Sequence, residues 1–342
     1  MDISQLSKTL KALPKYRFNQ AFQAVYQDYI SDWQELSVFP LALRADLNLI
    51  CPLTINGKVI KDGTNRDTEK ALITYKDGVV VETVLIRHRD KRHTLCLSTQ
   101  AGCPLACSFC ATGNAGFQRD LTSEEIQQQY IFWARELKQK KIKERIDNLV
   151  FMGMGEPFLN YDNFINAAKE FHNPEKFNIG SRRMSVSTSG IVEGIKKLAT
   201  EKMQVNLAVS LHAPVDSLRI RLMPIAKKYS INNILKAVDF YIAKTGRRVM
   251  FEYLMLKNIN DGDDDAEALS LIMRKKLYLI NLIPYNPTGN FQASSPIRIE
   301  QFKKKLEELG VAVTCRHSQG QSINAACGQL AGEKKRSSVI NT

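Results

Sequence analysis

Hydrophobic positions after about residue 94 alternate between short β-rich runs and amphipathic segments of helical length. The β-rich runs fall at residues 94–98, 149–154, 183–187, 205–211, 249–256, 278–284 and 311–316. Between the first two runs, Thr122 and Glu125 have the spacing of a capping box, and the apolar residues that follow share one helical face. This alternation predicts an α/β fold with a parallel sheet, open or rolled into a barrel, whose chemistry lies at the carboxyl ends of the strands.

The first ninety residues follow a different pattern. Apolar positions at helical spacing predict two short helices, within residues 6–13 and 18–29. Residues 71–75 and 79–86 are β-rich and flank the turn signal Lys76-Asp77-Gly78. We therefore expect a small helical module followed by a β-hairpin.

These patterns divide the chain into residues 1–90 for the module and hairpin, 91–332 for the barrel, and 333–342 for a disordered tail. With 342 residues, 44% of them hydrophobic, the chain is long enough to bury a large core. It contains no apolar run of about 18 residues, and residues 1–11 lack the pattern of a secretory signal. We expect a cytoplasmic protein that does not enter a membrane.

The formal net charge of +13 indicates a polyanionic partner, because phosphates attract lysine and arginine and release counterions when contacted. Charge alone does not identify RNA. For any single basic cluster, a solvated helix face is the more common explanation.

Three of the seven cysteines lie within one short loop, as Cys103, Cys107 and Cys110. A disulfide framework is a poor explanation for an odd number of cysteines in a cytosolic chain. Three thiolates on a four-iron cluster would leave one iron open to a further ligand. Zinc is the alternative, but zinc sites favour paired cysteines or nearby histidines, and the sequence has neither close downstream. The pattern favours an iron–sulfur cluster.

This Cys-x₃-Cys-x₂-Cys spacing, with Phe109 before the last cysteine, resembles the radical S-adenosylmethionine superfamily. The resemblance implies a partial (β/α) barrel, a [4Fe–4S] cluster and cleavage of S-adenosylmethionine to a 5′-deoxyadenosyl radical. The run Met152-Gly153-Met154-Gly155-Glu156-Pro157 is similar to the superfamily motif that binds the amino group of the cofactor. Its glycines allow close backbone approach, and Glu156 can accept from an ammonium group.

Polar residues end three further β-rich runs, at Ser187, at Ser210-Leu211-His212 and at Asn286. Each could be an ordinary turn or helix cap. Their joint position at one edge of the predicted barrel favours contact with the same cofactor.

A closer resemblance covers essentially the whole chain. The segments MGMGEP, STSG, SLHAP, YNP and AACGQL, in this order, resemble the RlmN/Cfr family of RNA adenine methyltransferases. The resemblance assigns the cluster to Cys103, Cys107 and Cys110. It assigns cofactor binding to Gly155, Glu156, Ser187, Ser210, Leu211, His212 and Asn286.

The resemblance also implies a covalent mechanism that uses two molecules of S-adenosylmethionine per turnover. Cys327 accepts a methyl group, loses a hydrogen atom from it, and adds the resulting carbon radical to the adenine. Glu82 removes the ring proton, and Cys96 then attacks Cys327 to release the methylated base with a disulfide. One extra residue separates Glu82 from Cys96 relative to the family pattern, so Glu82 is the weakest of these three assignments.

The proline at position 157 is similar to the residue found there in the branch of the family that methylates adenine C2. The resistance branch, which methylates C8, tends to have alanine at this position. The resemblance implies 23S ribosomal RNA as substrate, an RNA-binding role for the N-terminal module, and an external electron donor such as flavodoxin. We expect a monomer. Some C2 enzymes also methylate the adenosine 3′ of the tRNA anticodon, but residues 319–324 carry fewer carboxylates than the family pattern, which leaves the tRNA activity open.

Two other classes compete with this interpretation. A non-catalytic, zinc-bearing RNA-binding protein would share the charge and the cysteine loop but would have no use for Cys327. A radical enzyme that acts on a peptide or a small metabolite would share the cluster but not the AACGQL segment.

Overall fold

The computed structural model describes residues 1–61, 67–140, 145–289, 291–316 and 320–331. The tail expected at residues 333–342 lies outside these ranges. In the described part of the chain, no helix combines the length and the apolar character that crossing a membrane requires.

Helices occur at both the N-terminal end and between the later strands. Their bounds are α1 Ile3–Lys11, α2 Lys15–Tyr26, α3 Leu41–Ile50, α4 Ala111–Ala115, α5 Ser123–Gln139, α6 Tyr161–His172, α7 Val192–Thr200, α8 Asp216–Leu222, α9 Ile231–Thr245, α10 Asp263–Ile272 and α11 Pro296–Glu308. The capping box predicted for α5 is confirmed, because Thr122 and Glu125 each accept a hydrogen bond from the other's backbone N–H.

The strands have short, mostly buried sequences. Their bounds are β1 Asn56–Lys61, β2 Thr68–Thr74, β3 Val80–Arg87, β4 His93–Cys96, β5 Gln100–Gly102, β6 Phe117–Asp120, β7 Asn148–Phe151, β8 Met184–Thr188, β9 Asn206–Ser210, β10 Val249–Met255, β11 Tyr278–Pro284 and β12 Val313–Cys315. The seven runs predicted for the barrel correspond to β4 and to β7 through β12.

Ten of these strands form one sheet in the order β1-β2-β3-β4-β7-β8-β9-β10-β11-β12. From β4 to β12 every pairing is parallel, and from β1 to β4 every pairing is antiparallel. The strands β5 and β6 pair separately as a small hairpin. The predicted α/β fold with a partial barrel is confirmed.

The N-terminal region contains more structure than the sequence predicts. The two predicted helices are present as α1 and α2, but α3 and β1 were not predicted. The expected hairpin is the pair β2 and β3, and β1 extends it to three strands. The division near residue 90 stays a prediction, and hydrogen bonds between β3 and β4 cross it within a single sheet.

A buried arginine on α5 connects the N-terminal region to the barrel through hydrogen bonds. Arg135 donates to the carbonyl oxygens of Ile30 and Leu53, each at 2.6 Å. Burial lowers the pKa of Arg135 to about 10. Since residues of α1, α2 and β1 to β3 share one apolar cluster with the barrel strands, the two regions pack as neighbours rather than as separated bodies.

Candidate active site

A cavity of about 750 Å³ opens at the carboxyl ends of the parallel strands. All but two of the residues predicted for the site line it. These lining residues are Cys96, Cys103, Cys107, Cys110, Gly155, Glu156, Ser187, Ser210, His212, Asn286 and Cys327. The two exceptions are Leu211 and Glu82, which lie just outside it.

The three clustered cysteines lie on the loop between β5 and α4. The backbone N–H of Cys103 donates to Gly116 at 3.0 Å, and that of Cys110 donates to Cys107 at 3.1 Å. Ala111 N–H donates to Gly328 at 2.8 Å, so the loop is held against the segment that carries Cys327.

The donor set fits an iron–sulfur cluster. Burial raises the pKa of the Cys103 thiol to about 12 and that of Cys107 well above its usual value, and the neighbouring cysteines raise both further. Three thiolates at this site therefore require positive charge, which bound iron would supply. No group of three or more His, Cys, Asp or Glu side chains among the described residues is arranged to hold a single metal ion. In a four-iron cluster, by contrast, each thiolate binds a different iron atom.

Glu156 is a fully enclosed carboxylate at the end of the segment that follows β7. One of its oxygens accepts from Phe158 N–H at 3.0 Å and the other from Ser189 N–H at 2.7 Å. Its own N–H donates to the Gln100 side chain at 2.8 Å. Burial raises its pKa. The raised pKa means that burial destabilises the charged carboxylate. A cationic ligand such as an ammonium group would offset this destabilisation by pairing with the carboxylate.

His212 follows β9 and has a left-handed backbone, with φ of 60°. Its Nδ1 accepts a hydrogen bond from Leu254 N–H at 3.1 Å, so the other ring nitrogen carries the proton of the neutral imidazole. Burial lowers the pKa of His212 to about 3, which keeps the ring neutral. The ring packs edge-on against Phe109, with centroids 4.9 Å apart, and so joins this strand end to the cysteine loop.

Asn286 holds the segment that carries Cys327. Its amide nitrogen donates to the Cys327 carbonyl at 3.1 Å, and its amide oxygen accepts from Gln321 at 2.7 Å. Gln321 lies in the run where the sequence departs from the family pattern. The amide nitrogen and the amide oxygen of Asn286, a predicted cofactor-binding residue, therefore both form hydrogen bonds with the segment that carries Cys327.

Cys96 and Cys327 line the same cavity, although they are far apart in the chain. Burial raises the pKa of Cys96 to about 12, and the Cys327 side chain raises it further. All seven cysteines lie in the described ranges, and each is a free thiol there. The structure therefore brings the two predicted reactive cysteines into one chamber with the cluster cysteines.

Glu82 lies on β3, on the same strand face as Val84 and Ile86, which line the cavity. Its carboxylate forms a buried ion pair with Lys70, with 3.3 Å between Nζ and Oε2. Lys70 also donates to the Asn324 carbonyl at 3.0 Å. The ion pair thus connects Glu82 with the segment that carries Cys327.

Several charged residues in the cavity were not predicted, among them Glu252 and Arg316. Glu252 interrupts the apolar run of β10 and accepts from the Asn281 side chain at 2.8 Å. Arg316 follows β12, and its pKa is raised by Cys327 first and by Glu252 next. A charged residue within a buried strand is a signal that could have pointed to Glu252. Arg316 therefore places a positive charge in the same cavity as Cys327.

This geometry agrees with comparisons with known proteins. A profile of the Radical SAM superfamily matches residues 97–269. A crystal structure of a radical SAM methyltransferase from Sphaerobacter thermophilus is 41% identical in sequence, covers 97% of this chain and 98% of its own, and superposes with a TM-score of 0.91. The fold and the site define a radical SAM enzyme, whose class binds a [4Fe–4S] cluster and S-adenosylmethionine.

Relatives that are similar over their full length show to which family of radical SAM enzymes the chain belongs. A probable dual-specificity RNA methyltransferase RlmN from Chloroflexus aurantiacus is 42% identical, over 100% of this chain and 93% of its own length. A ribosomal RNA large subunit methyltransferase N from Nitrosopumilus maritimus is 40% identical, over 92% of each. The chain belongs to the RlmN family, which confirms the resemblance noted from the sequence.

Gly155 offers a direct test of the predicted cofactor site. Its φ is 102°, and an added Cβ would lie 2.5 Å from the Gln100 side chain, which holds Glu156. We expect Gly155→Ala to weaken S-adenosylmethionine binding at least about tenfold, because strain and collision both displace Glu156. Equilibrium binding to the anaerobically reconstituted protein measures this.

The matched control is Gly78→Ala, where φ is 81° but no atom lies within 4 Å of the added Cβ. It should lose about 1–2 kcal/mol of stability from backbone strain and bind the cofactor normally. Equal affinity for both variants would show that the Gly155 turn does not receive the cofactor.

Proposed function

We propose that this protein methylates C2 of an adenosine in 23S ribosomal RNA through a covalent intermediate on Cys327. The observation that carries the proposal is the presence of Cys327 and Cys96 in the same cavity as the three cluster cysteines. A zinc-bearing binding module would have no use for this arrangement.

RNA as the substrate is supported by the relatives, one named as a ribosomal RNA methyltransferase and another as a dual-specificity RNA methyltransferase. The net charge of +13 suits a polyanion. We assign an accessory RNA-binding role to residues 1–90. There Tyr16 is an exposed aromatic ring, and the Arg17 guanidinium lies 5.1 Å from its centroid, a pairing that can stack on a base.

When bound, the cluster, which Cys103, Cys107 and Cys110 would hold, and two molecules of S-adenosylmethionine would supply a methyl group and a 5′-deoxyadenosyl radical. Cys327 provides the sulfur that carries the methyl group as a thioether. After loss of one hydrogen atom, the methylene carbon on this sulfur forms a bond with adenine C2. A covalent carrier is needed because this electron-poor carbon is not nucleophilic and does not attack a sulfonium directly.

Glu82 is our candidate for the group that takes the ring proton, after the adduct has passed one electron to an acceptor, a role that the oxidised cluster would fill. Its carboxylate is paired with Lys70, which also holds Asn324. Because Glu82 lies outside the cavity lining, this role requires the base or the β3 strand to approach it in the RNA complex.

Cys96 completes the reaction as the resolving cysteine. Its thiolate attacks the Cys327 sulfur, a disulfide forms, and the sulfur–carbon bond breaks. The electron pair of that bond stays on the methylene carbon, which takes a proton and becomes the methyl group. An external donor such as flavodoxin would supply the electrons for the next turnover, and the reducing cytoplasm suits seven free thiols.

We assign C2 rather than C8 because Pro157 follows Gly155-Glu156, as in the C2 branch. A Cfr-like C8 activity is the alternative. The tRNA adenosine 3′ of the anticodon is a second candidate substrate, supported by the words "dual-specificity" in the name of a relative. We further propose that the protein acts as a monomer.

Removal of the resolving cysteine should trap the covalent intermediate. Cys96→Ala retains the Cys327 sulfur, so it should accumulate joined to RNA as a slow band on a denaturing gel that nuclease digestion collapses. Cys327→Ala and the double variant should give no such band. Free methylated RNA at normal yield from Cys96→Ala would show that another group resolves the intermediate.

The pH dependence of release provides a second test. Since burial raises the pKa of Cys96 to about 12, its thiolate fraction should rise about tenfold per pH unit over the neutral to mildly alkaline range. In single-turnover, rapid-quench experiments from pH 7 to about 9, decay of the crosslink should accelerate by this factor. The Cys96→Ala adduct should persist at every pH. A decay rate that does not change with pH would argue against attack by Cys96.

A further inference from the structure

Arg219 is a fully buried cation on α8 whose hydrogen bonds all go to backbone carbonyl oxygens. Nε donates to Leu211 at 3.2 Å, Nη1 to Tyr229 at 3.1 Å, and Nη2 to Ser189 at 2.5 Å and Ser210 at 3.1 Å. Four carbonyl groups on three segments of the chain are therefore fixed by one planar group with rigid donor directions.

Three of these four carbonyl groups belong to the strand ends predicted to bind S-adenosylmethionine. Ser189 follows β8, Ser210 is the last residue of β9, and Leu211 comes directly after it. Ser189 N–H also donates to Glu156, so Arg219 is one residue away from the predicted ammonium-binding carboxylate. A single Nη2 atom ties the two strand ends together.

The same helix also holds the cysteine loop. The carbonyl oxygen of Leu222, the last residue of α8, accepts from Ser108 N–H at 3.0 Å and from Ser108 Oγ at 3.1 Å. Cys107 and Phe109 pack against the apolar cluster that contains Leu222 and Met223. The helix α8 therefore connects the cysteine loop with both strand ends.

Among the described residues, the guanidinium of Arg219 donates to carbonyl oxygens and to no carboxylate. Burial lowers its pKa to about 10, and the Cys107 side chain is the largest influence in the opposite direction. At neutral pH Arg219 is therefore a buried cation on the helix whose end holds the cysteine loop through Ser108, and charge effects are strong in surroundings of low polarity.

We propose that Arg219 is a positioning residue with two separable effects on the cofactors. Its hydrogen bonds align the strand ends that receive S-adenosylmethionine with the cysteine loop, and its fixed positive charge raises the reduction potential of the cluster. The inference rests on the cluster and cofactor part of the proposed function and adds a residue that contacts neither group.

Two substitutions separate geometry from charge. Arg219→Lys keeps the positive charge but cannot reach four carbonyl groups, whereas Arg219→Gln removes the charge as well. The matched control is Arg221→Gln, an exposed arginine on the same helix. Iron content, thermal unfolding, the dissociation constant for S-adenosylmethionine and the cluster midpoint potential by electron paramagnetic resonance titration are measured for each.

We expect the dissociation constant to rise at least about tenfold in both Arg219 variants, because hydrogen bonds from a charged donor are lost. The midpoint potential should fall in Arg219→Gln and stay near the wild-type value in Arg219→Lys. The Arg221→Gln protein should match the wild type in both measurements.

Wild-type affinity in a folded, iron-loaded Arg219→Lys protein would overturn the positioning effect. A midpoint potential in Arg219→Lys that falls as far as in Arg219→Gln would overturn the charge effect. If Arg219→Gln does not fold, Arg219→Met replaces it in the test of the charge effect, under the same criteria. The positioning effect is then tested with Arg219→Lys alone. Failure of the proposed function is distinguishable, since it would appear as absence of the cluster in the wild-type protein or of the RNA crosslink in Cys96→Ala.

Discussion

Parallel pairing of the strands from β4 to β12 is the constraint on which the site depends. Parallel neighbours share one direction, so their carboxyl ends lie along one rim and the loops that follow must meet there. The register places Ser210 beside Glu252, and Glu252 beside Asn281. Side chains from distant parts of the chain thus face one cavity without any local signal in the sequence that they are neighbours.

The rim is completed by the segment that carries Cys327, which is held by residues from several other elements. Asn286 holds the Cys327 carbonyl, Ala111 holds the Gly328 carbonyl, and Lys70 holds the Asn324 carbonyl. A reactive sulfur must be presented at a defined distance from its partners, and backbone contacts of this kind restrict where it can move. The reaction proposed for Cys327 therefore depends on residues from β2, the cysteine loop and the segment after β11.

The sequence predicted the barrel well because buried parallel strands are short, mostly apolar runs separated by segments of helical length, as in β10 and β11. It missed α3, where only Leu47 is buried and several leucines face outward, so no single apolar face marks a helix. It missed β1, whose sequence NGKVIK is largely polar and exposed. Most of the residues predicted for the site lie at strand ends, where the sequence pattern and the family resemblance both pointed. Arg219 was passed over because its partners are backbone carbonyl groups, which leave no residue pattern.

The central claim is that the methyl group reaches adenine through a methylene carbon on Cys327 rather than by direct transfer. The most direct measurement is mass spectrometry of RNA methylated by the anaerobically reconstituted protein with S-adenosylmethionine carrying a fully deuterated methyl group. Because one hydrogen atom is removed and a proton is later added, the account predicts 2-methyladenosine with two deuterium atoms and the third in 5′-deoxyadenosine. A methyl group that retains all three, or that is attached to a nitrogen atom, would contradict it.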